Sequence, residues 1–397
     1  MSTLQNLTIG NDFRTELLPT GYLDASIQQA WKTLLTHSKS PEKVFQTPGY
    51  FEFISQLPNK DNSQELIIAK SAHNQEIMAV LPLRTGRRTL HLNVGKHTLV
   101  HLRLRTIALL GSTPLAADNP QLFDTLIDFI FQSFPQKNTI AMQSLPKDSD
   151  FYRYLINSSN IKKKYGFFIQ DGWRICHTTP LPDSFINYLG NLKSKKRYNL
   201  NRQLKILEKD IGPLKLLRID NPEHIFEWAA AIEKLVPIYV VKKFLNKEQF
   251  TNLAYKKLML NYILKCNEIP CALIIGIKAE CTYHIHNILY AQDKSEYSLG
   301  TSILHLATED IIDNLKISLI DYGYGNPEHS HQSSNIPVLR GHAFLYQKTW
   351  ANRLIFSTYA AYSSLVCGVK FLISRAQSAL GEKKHKTPVL AHFYFMF

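Results

Sequence analysis

The feature that most constrains this chain is an order of elements that occurs twice. In the first half, Ala30, Trp31, Leu34 and Leu35 share one face of Ser26–Ser38, and Pro41 follows as a stop. A second short helix fits Pro48–Leu57. Strand-like runs follow at Glu65–Lys70, Gln75–Arg84 and Thr89–Asn93, with His73-Asn74 at the first turn, and Thr106–Leu110 ends in Gly111. Asn119 reads as an N-cap with Pro120 at the first helical position, opening a helix over Gln121–Phe134. Strand Thr139–Leu145 and a short helix at Asp150–Ile156 come next, then strand runs Phe167–Ile169 and Arg174–Thr178.

The second half repeats the pattern. One helix runs from Pro222 toward Val236, stopped by Pro237, and another from Asn246 through Lys257. Strands Leu260–Lys265, Pro270–Ile277 and Thr282–Leu289 turn at Asn267-Glu268 and Ala279-Glu280. A helix at Thr301–Leu315 and a strand at Ile317–Tyr322 close the unit. Leu90-His91-Leu92-Asn93 echoes His284-Ile285-His286-Asn287. Mixed strand–helix order of this kind predicts an α+β, layered fold: two tandem copies of one domain, each a mixed, mostly antiparallel sheet flanked by helices. The length of 397 residues suits two domains. With Pro180–Asp183 as hinge, the expected division is 1–179, 180–350, and a helical tail 351–397.

Charge narrows the partners. Lys and Arg number 46 against 32 Asp and Glu, a net charge of +14, which favours polyanions without choosing among them. The most basic stretch is a helix carrying Lys193, Lys195, Lys196, Arg197, Arg202, Lys205 and Lys209, offset only by Glu208 and Asp210. Its narrow apolar stripe (Leu189, Leu192, Leu200, Leu204, Leu207) docks it with the basic face outward. Lys195, Arg197 and Arg202 are candidate contacts for an anionic substrate. Only Tyr198 interleaves them, so stacking on single-stranded nucleic acid is not indicated, and nothing points to DNA. The five cysteines are odd in number and none lies in a CxxC, which predicts a reducing compartment, no disulfide framework and no zinc site. Met1–Thr20 lacks the pattern of a secretory signal. Leu354–Val369 is uncharged but too short and hydroxyl-rich to span a bilayer, so it reads as a packed helix or a membrane-surface helix.

The strongest local signal is Tyr290–Leu304. A strand ends, a polar loop closes on Ser298-Leu299-Gly300-Thr301-Ser302, and a helix opens. Unpaired N–H groups and the helix dipole make such an end suited to a diphosphate, and Gly300 removes a Cβ from its path. The rival reading is a plain Ser N-cap. Downstream, Asp321-Tyr322-Gly323-Tyr324-Gly325 places an Asp at the C-terminal end of a strand, either at a site edge or in a self-bonded turn.

These pieces carry a resemblance. Ser194–Arg202 with Leu207-Glu208, Ile269-Pro270-Cys271-Ala272, the residues Tyr290, Asp293, Tyr297, Ser298, Gly300 and Leu304, and Asp321-Tyr322-Gly323-x-Gly325 resemble, in order, the CelD-type (cellulose-biosynthesis-associated) acetyltransferases of the GNAT superfamily. Trp31, Phe45-Gln46-Thr47-Pro48 and Val80-Leu81-Pro82-Leu83 resemble the family's upstream region. The resemblance implies a tandem architecture similar to the Fem-type transferases, with acetyl-CoA or another acyl-CoA bound in the second domain at Ser298, Leu299, Gly300, Thr301 and Ser302. It also implies an aromatic-Lys pair soon after the final Gly. Here the chain reads Asn326-Pro327-Glu328-His329-Ser330-His331-Gln332, and Tyr346-Gln347-Lys348 comes much later.

Acyl transfer needs a base for the acceptor, donors for the oxyanion and an acid for the leaving group. His284 and His286, alternating along one strand, are base candidates; Asp321 is a second base and Tyr324 an acid. His329 and His331 read as solvated loop rather than metal ligands. The expected activity is acyl transfer to an amine or hydroxyl of a glycan or small-molecule precursor, in polysaccharide biosynthesis, by a cytoplasmic protein. Two alternatives stand beside it: a Fem-like aminoacyl-tRNA-dependent transferase, and a catalytically silent protein held at the inner-membrane face of an exopolysaccharide system through residues 354–373.

Overall fold

A computed structural model describes residues 6–8, 12–18, 23–38, 40–57, 63–94, 97–235, 246–324 and 336–379. Fourteen strands belong to one sheet. They are β1 (Asn6–Thr8), β2 (Phe13–Leu18), β3 (Gln64–Ser71), β4 (Ile77–Val94), β5 (His97–Leu109), β6 (Leu115–Ala116), β7 (Thr139–Pro146), β8 (Tyr165–Pro180), β9 (Leu214–Ile219), β10 (Asn261–Cys266), β11 (Ile269–Ala279), β12 (Thr282–Tyr290), β13 (Leu319–Asp321) and β14 (Ile336–Gln347). The helices are α1 (Ala25–His37), α2 (Pro48–Ser55), α3 (Pro120–Ser133), α4 (Asp150–Asn157), α5 (Ser159–Lys164), α6 (Phe185–Asn191), α7 (Ser194–Ile211), α8 (Ile225–Leu235), α9 (Lys247–Tyr255), α10 (Leu299–Leu315) and α11 (Trp350–Ala379).

The repeat is present, and the fold is the expected α+β arrangement of two GNAT-like units. In the first, β2–β3–β4–β5 form an antiparallel meander, and α3 crosses over to β7, which lies parallel to β5. In the second, β9–β10–β11–β12 form the meander, and α10 crosses over to β13, parallel to β12. The crossovers are helices because a parallel neighbour cannot be reached by a tight turn. Between the units the strand order is β7-β14-β8-β13. β8, which arrives from the first unit, bonds β13 of the second; β14, which arrives from the second, bonds β7 of the first. β8 and β14 pair with each other over most of their length. The sheet therefore has no seam at the residue-180 division, which falls on the last residue of β8.

Local chemistry explains the elements. Asp24 caps α1 by accepting from the Ile27 amide, and Asn119 accepts from Gln121 and Leu122 ahead of Pro120. Asn246 and Gln249 form a reciprocal capping box on α9. Trp31 is fully buried, and its indole N–H donates to the Gln46 carbonyl at 2.6 Å, fixing α1 against a 3-10 turn at Pro41–Gln46. Separate apolar cores lie under α3 in the first unit and under α10 in the second.

Several expectations change. Gln75–Arg84 and Thr89–Asn93 are one 18-residue strand, β4; Gly86-Arg87-Arg88 resembles a break, but unbroken pairing with β5 holds the backbone extended. The echo between Leu90–Asn93 and His284–Asn287 is consequently out of step, since β4 is a third strand and β12 a fourth. Phe167–Ile169 and Arg174–Thr178 also join as β8, with Asp171 and Gly172 at positive φ (56° and 75°) opposite an irregular stretch of β14. Leu354–Val369 lies inside α11, which packs through buried Phe356 and Tyr359 onto Leu90, Leu92, Leu104 and Phe344. Among the described residues no helix is long and apolar enough to cross a membrane. Val236, Pro237, Gly325, His329, His331 and residues 380–397 lie outside the described residues.

Candidate active site

The parallel pair in the second unit is short. Thr282, Tyr283 and His284 pair with Leu319, Ile320 and Asp321, and there β13 ends while β12 continues to Tyr290. Just past the last pair, His286 is the extra residue of a bulge: Ile275 pairs with Asn287 and Gly276 with Ile285. A bulge bends its strand, so β12 parts from β13 at this point, their ladder ending at the His284–Asp321 pair. A 3-10 turn, Gln292–Tyr297, then leads to Ser298 at left-handed φ of 54° and into α10.

Ser298 occupies the N-cap position, but its side chain makes no capping bond, so the plain-cap reading fails in its usual form. Leu299 and Ser302 are buried; Gly300 and Thr301 are half-buried. A Cβ on Gly300 would meet Ile288 and Tyr290 at an ordinary 3.5 Å, so the missing side chain faces β12. Beside this helix end lies a crevice of about 280 Å³, walled by Asn199, Arg202 and Ile206 of α7 and by Glu296, Tyr297 and Ser298. Arg202 and Ser298, at the N-terminal end of α10, thus line the same crevice. Arg197 does not join it: its guanidinium donates to the Leu189 and Gly190 carbonyls at 3.1 and 3.4 Å, closing the C-terminal end of α6. Lys195 is exposed on the outer face.

At the other end of this stretch of β12 sits a buried polar cluster. His284 Nδ1 is 3.0 Å from Asp321 Oδ2, and the same oxygen accepts from Arg340 Nη1 at 2.9 Å. Arg340 Nη1 also donates to Glu42 Oε1 at 2.8 Å. The Gly323 amide donates to the second Asp321 oxygen at 3.0 Å. Asp321 and Arg340 are fully buried. Burial by itself raises the Asp321 pKa, but Arg340 and His284, by charge and by hydrogen bonds, hold the carboxyl well below the usual range. Burial lifts Glu42, opposed by Arg340 and reinforced by Asp321. Arg340 resists deprotonation because, against the effect of burial, it is flanked by both carboxylates.

An ionised carboxylate only accepts, so His284 Nδ1 is the donor in this pair and Nε2 stays outside it. Nε2 lies toward Gly323, whose added Cβ would stand 3.8 Å away. His286 is 4.9 Å from His284, ring to ring, and Phe45 packs on both. The two histidines are not equivalent: burial, with His284 alongside, pushes His286 down to about 3, so its imidazole stays neutral and weakly basic. Tyr324 donates to the Gln143 carbonyl at 3.3 Å, and burial raises its phenol, which keeps its proton. The structure thus gathers His284, His286 and Asp321 at one end of β12, and Ser298–Ser302 with Arg202 at the other. The six residue steps from His284 to Tyr290 span about 20 Å of strand.

Sequence reasoning missed Glu42, Phe45 as a site residue, and Arg340. Arg340 had a signal: one cation within the apolar run Val338-Leu339-Arg340-Gly341-His342-Ala343-Phe344. Tyr346 and Lys348 lie at the far end of β14, where Tyr346 stacks on Phe356 with ring centroids 4.2 Å apart, away from the cluster. Among the described residues no group of three His, Cys, Asp or Glu could hold a metal ion.

No family model matches the sequence, and no curated protein matches it. Solved structures do. FemX superposes with a TM-score of 0.54 at 11% identity, over 81% of this chain and 96% of that one. A tandem GNAT protein from the clavulanic acid biosynthesis pathway gives 0.50 at 10% identity, over 84% and 98%. At such identities the likeness is one of fold. Two units, each an antiparallel meander with a crossover helix and a parallel strand, fused through exchanged strands, define the class: this chain has the tandem GNAT-like fold.

Proposed function

We propose that the protein is an acyl-CoA-dependent acyltransferase, with its working site along β12 beyond its last pair with β13 in the second unit. One observation carries the reading: beyond its last pair with β13, β12 runs from the His284–Asp321 pair toward the N-terminus of α10, where Arg202 borders a crevice. The donor supplies an acyl group activated as a thioester. In this reading the Leu299 and Gly300 amides at the start of α10 and the Arg202 guanidinium hold the donor's phosphates, since the Thr301 and Ser302 amides already bond the Ser298 carbonyl. The β12 edge offers N–H donors to a carbonyl oxygen that gains negative charge. His284 Nε2 takes the proton of the attacking amine or hydroxyl, while Asp321 holds the opposite nitrogen and balances the imidazolium. Tyr324 retains a proton and is the candidate donor to the leaving thiolate. The acceptor is read, from the CelD-type resemblance, as a glycan or small-molecule precursor of a polysaccharide.

Calorimetric titration with acetyl-CoA and longer acyl-CoAs tests the donor. Micromolar binding that Arg202→Glu weakens and His284→Gln leaves intact, with turnover lost in the latter, is expected. No binding at high micromolar concentrations would overturn the reading. The exposed basic face of α7 favours one second reading, an aminoacyl-tRNA donor; its mark is tRNA affinity falling steeply with salt.

A further inference from the structure

The β4–β5 hairpin has a composition that the site does not use. From residue 77 to residue 117 the chain contains no Asp or Glu. Arg87 pairs with Arg105, Thr89 with Arg103 and His91 with His101, so these residues share one face of the hairpin. Arg87, His91, His101, Arg103 and Arg105 are all exposed. The opposite face, with Leu90, Leu92 and Leu104, is covered by α11. Like charges set side by side across a ladder are unfavourable unless something negative compensates them.

Apolar side chains crown the same corner. Val94, Leu99 and Val100 are exposed at the tip, Leu99 to 66%. The Tyr362 hydroxyl, 2.6 Å from the Asn93 carbonyl and 2.9 Å from the Asn93 amide, ties α11 to this tip. One turn further on, Leu365 is 69% exposed, and Phe371 and Leu372 are 64% and 65% exposed. Residues 350–379 also contain no Asp or Glu, while Arg353, Lys370 and Arg375 lie among them. Exposed aliphatics gain nothing from a nucleic-acid backbone, but with cations around them they match an acyl-chain boundary under anionic headgroups.

We propose that this corner, the basic hairpin face with its apolar tip and the acid-free second half of α11, docks on an anionic phospholipid membrane. The inference is independent of the acyl-transfer reading. Flotation of the full chain with phosphatidylcholine vesicles, with and without one third phosphatidylglycerol, tests it. Binding is expected on the anionic vesicles only. Arg103→Gln/Arg105→Gln is expected to weaken partitioning about 30-fold, at about 1 kcal/mol for each cation. Leu99→Asp and Leu365→Asp, on separate elements, are each expected to abolish flotation with the thermal midpoint and acyl-CoA titration unchanged. Absence of flotation, or equal flotation on neutral vesicles, overturns the proposal. So does tRNA binding that falls with the arginine pair but not with either leucine, which assigns the face to nucleic acid.

Discussion

Replacing Arg340 by Met removes the one cation that holds two buried carboxylates. The side chain is 0% exposed, and one of its nitrogens serves Asp321 at 2.9 Å and Glu42 at 2.8 Å. Breaking a buried pair by deleting one partner costs about 3–5 kcal/mol, because a charge is left unpaired in a poor solvent. At about 2 °C per kcal/mol in a chain of this size, the thermal midpoint at pH 7.5 is expected to fall by about 6–10 °C. The pH dependence supplies the check. In the parent, the folded pKa of Asp321 lies below its unfolded value, so its contribution is present above about pH 4 and is lost as the pH falls through the folded value. Without Arg340, the burial that already raises Glu42 loses its main opponent, and the folded pKa of Glu42 climbs further above its unfolded value. The folded variant then binds protons more readily, and its stability rises as the pH falls. Differential scanning between pH 5 and pH 8 should show the gap between variant and parent narrowing toward pH 5. A variant melting within about 2 °C of the parent, or a gap independent of pH, would refute the account.

Two further outcomes follow from the geometry. Trp31→Ala empties a fully buried indole and orphans the Gln46 carbonyl; a loss of about 3–5 kcal/mol is expected from urea midpoints. The glycines should separate: Gly323→Ala forces a Cβ onto a φ of 60° beside His284 and should cost more than about 1 kcal/mol, whereas Gly300→Ala, with ordinary 3.5 Å contacts, should fold like the parent.

Much of the fold was legible because local chemistry and hydrophobic period agreed. Asn119-Pro120, Asn246, and the β10–β11–β12 turns announced their elements within a residue or two. The strands β2, β9 and β14 went unread: each takes its structure from partners distant in sequence, as β14 does from β7 and β8. The site divided the same way. Asp321 and His284 stand on successive strands of one unit, so a chain-order reading reached them. Glu42 and Arg340 are 298 residues apart and meet only because β14 crosses between the units. A long-range ion pair leaves no periodic trace, only a charge where an apolar residue is expected.

The exchange of β8 and β14 has a consequence for synthesis. Roughly two hundred residues separate the end of β7 from the end of β14. At about 5–20 residues per second, the amino-terminal unit waits about 10–40 s on the ribosome with a raw edge exposed beside β7. Only the arrival of β14 covers that edge, and the same event delivers Arg340 to Glu42 and Asp321. Completion of the scaffold and neutralisation of its buried acids are therefore a single, late step.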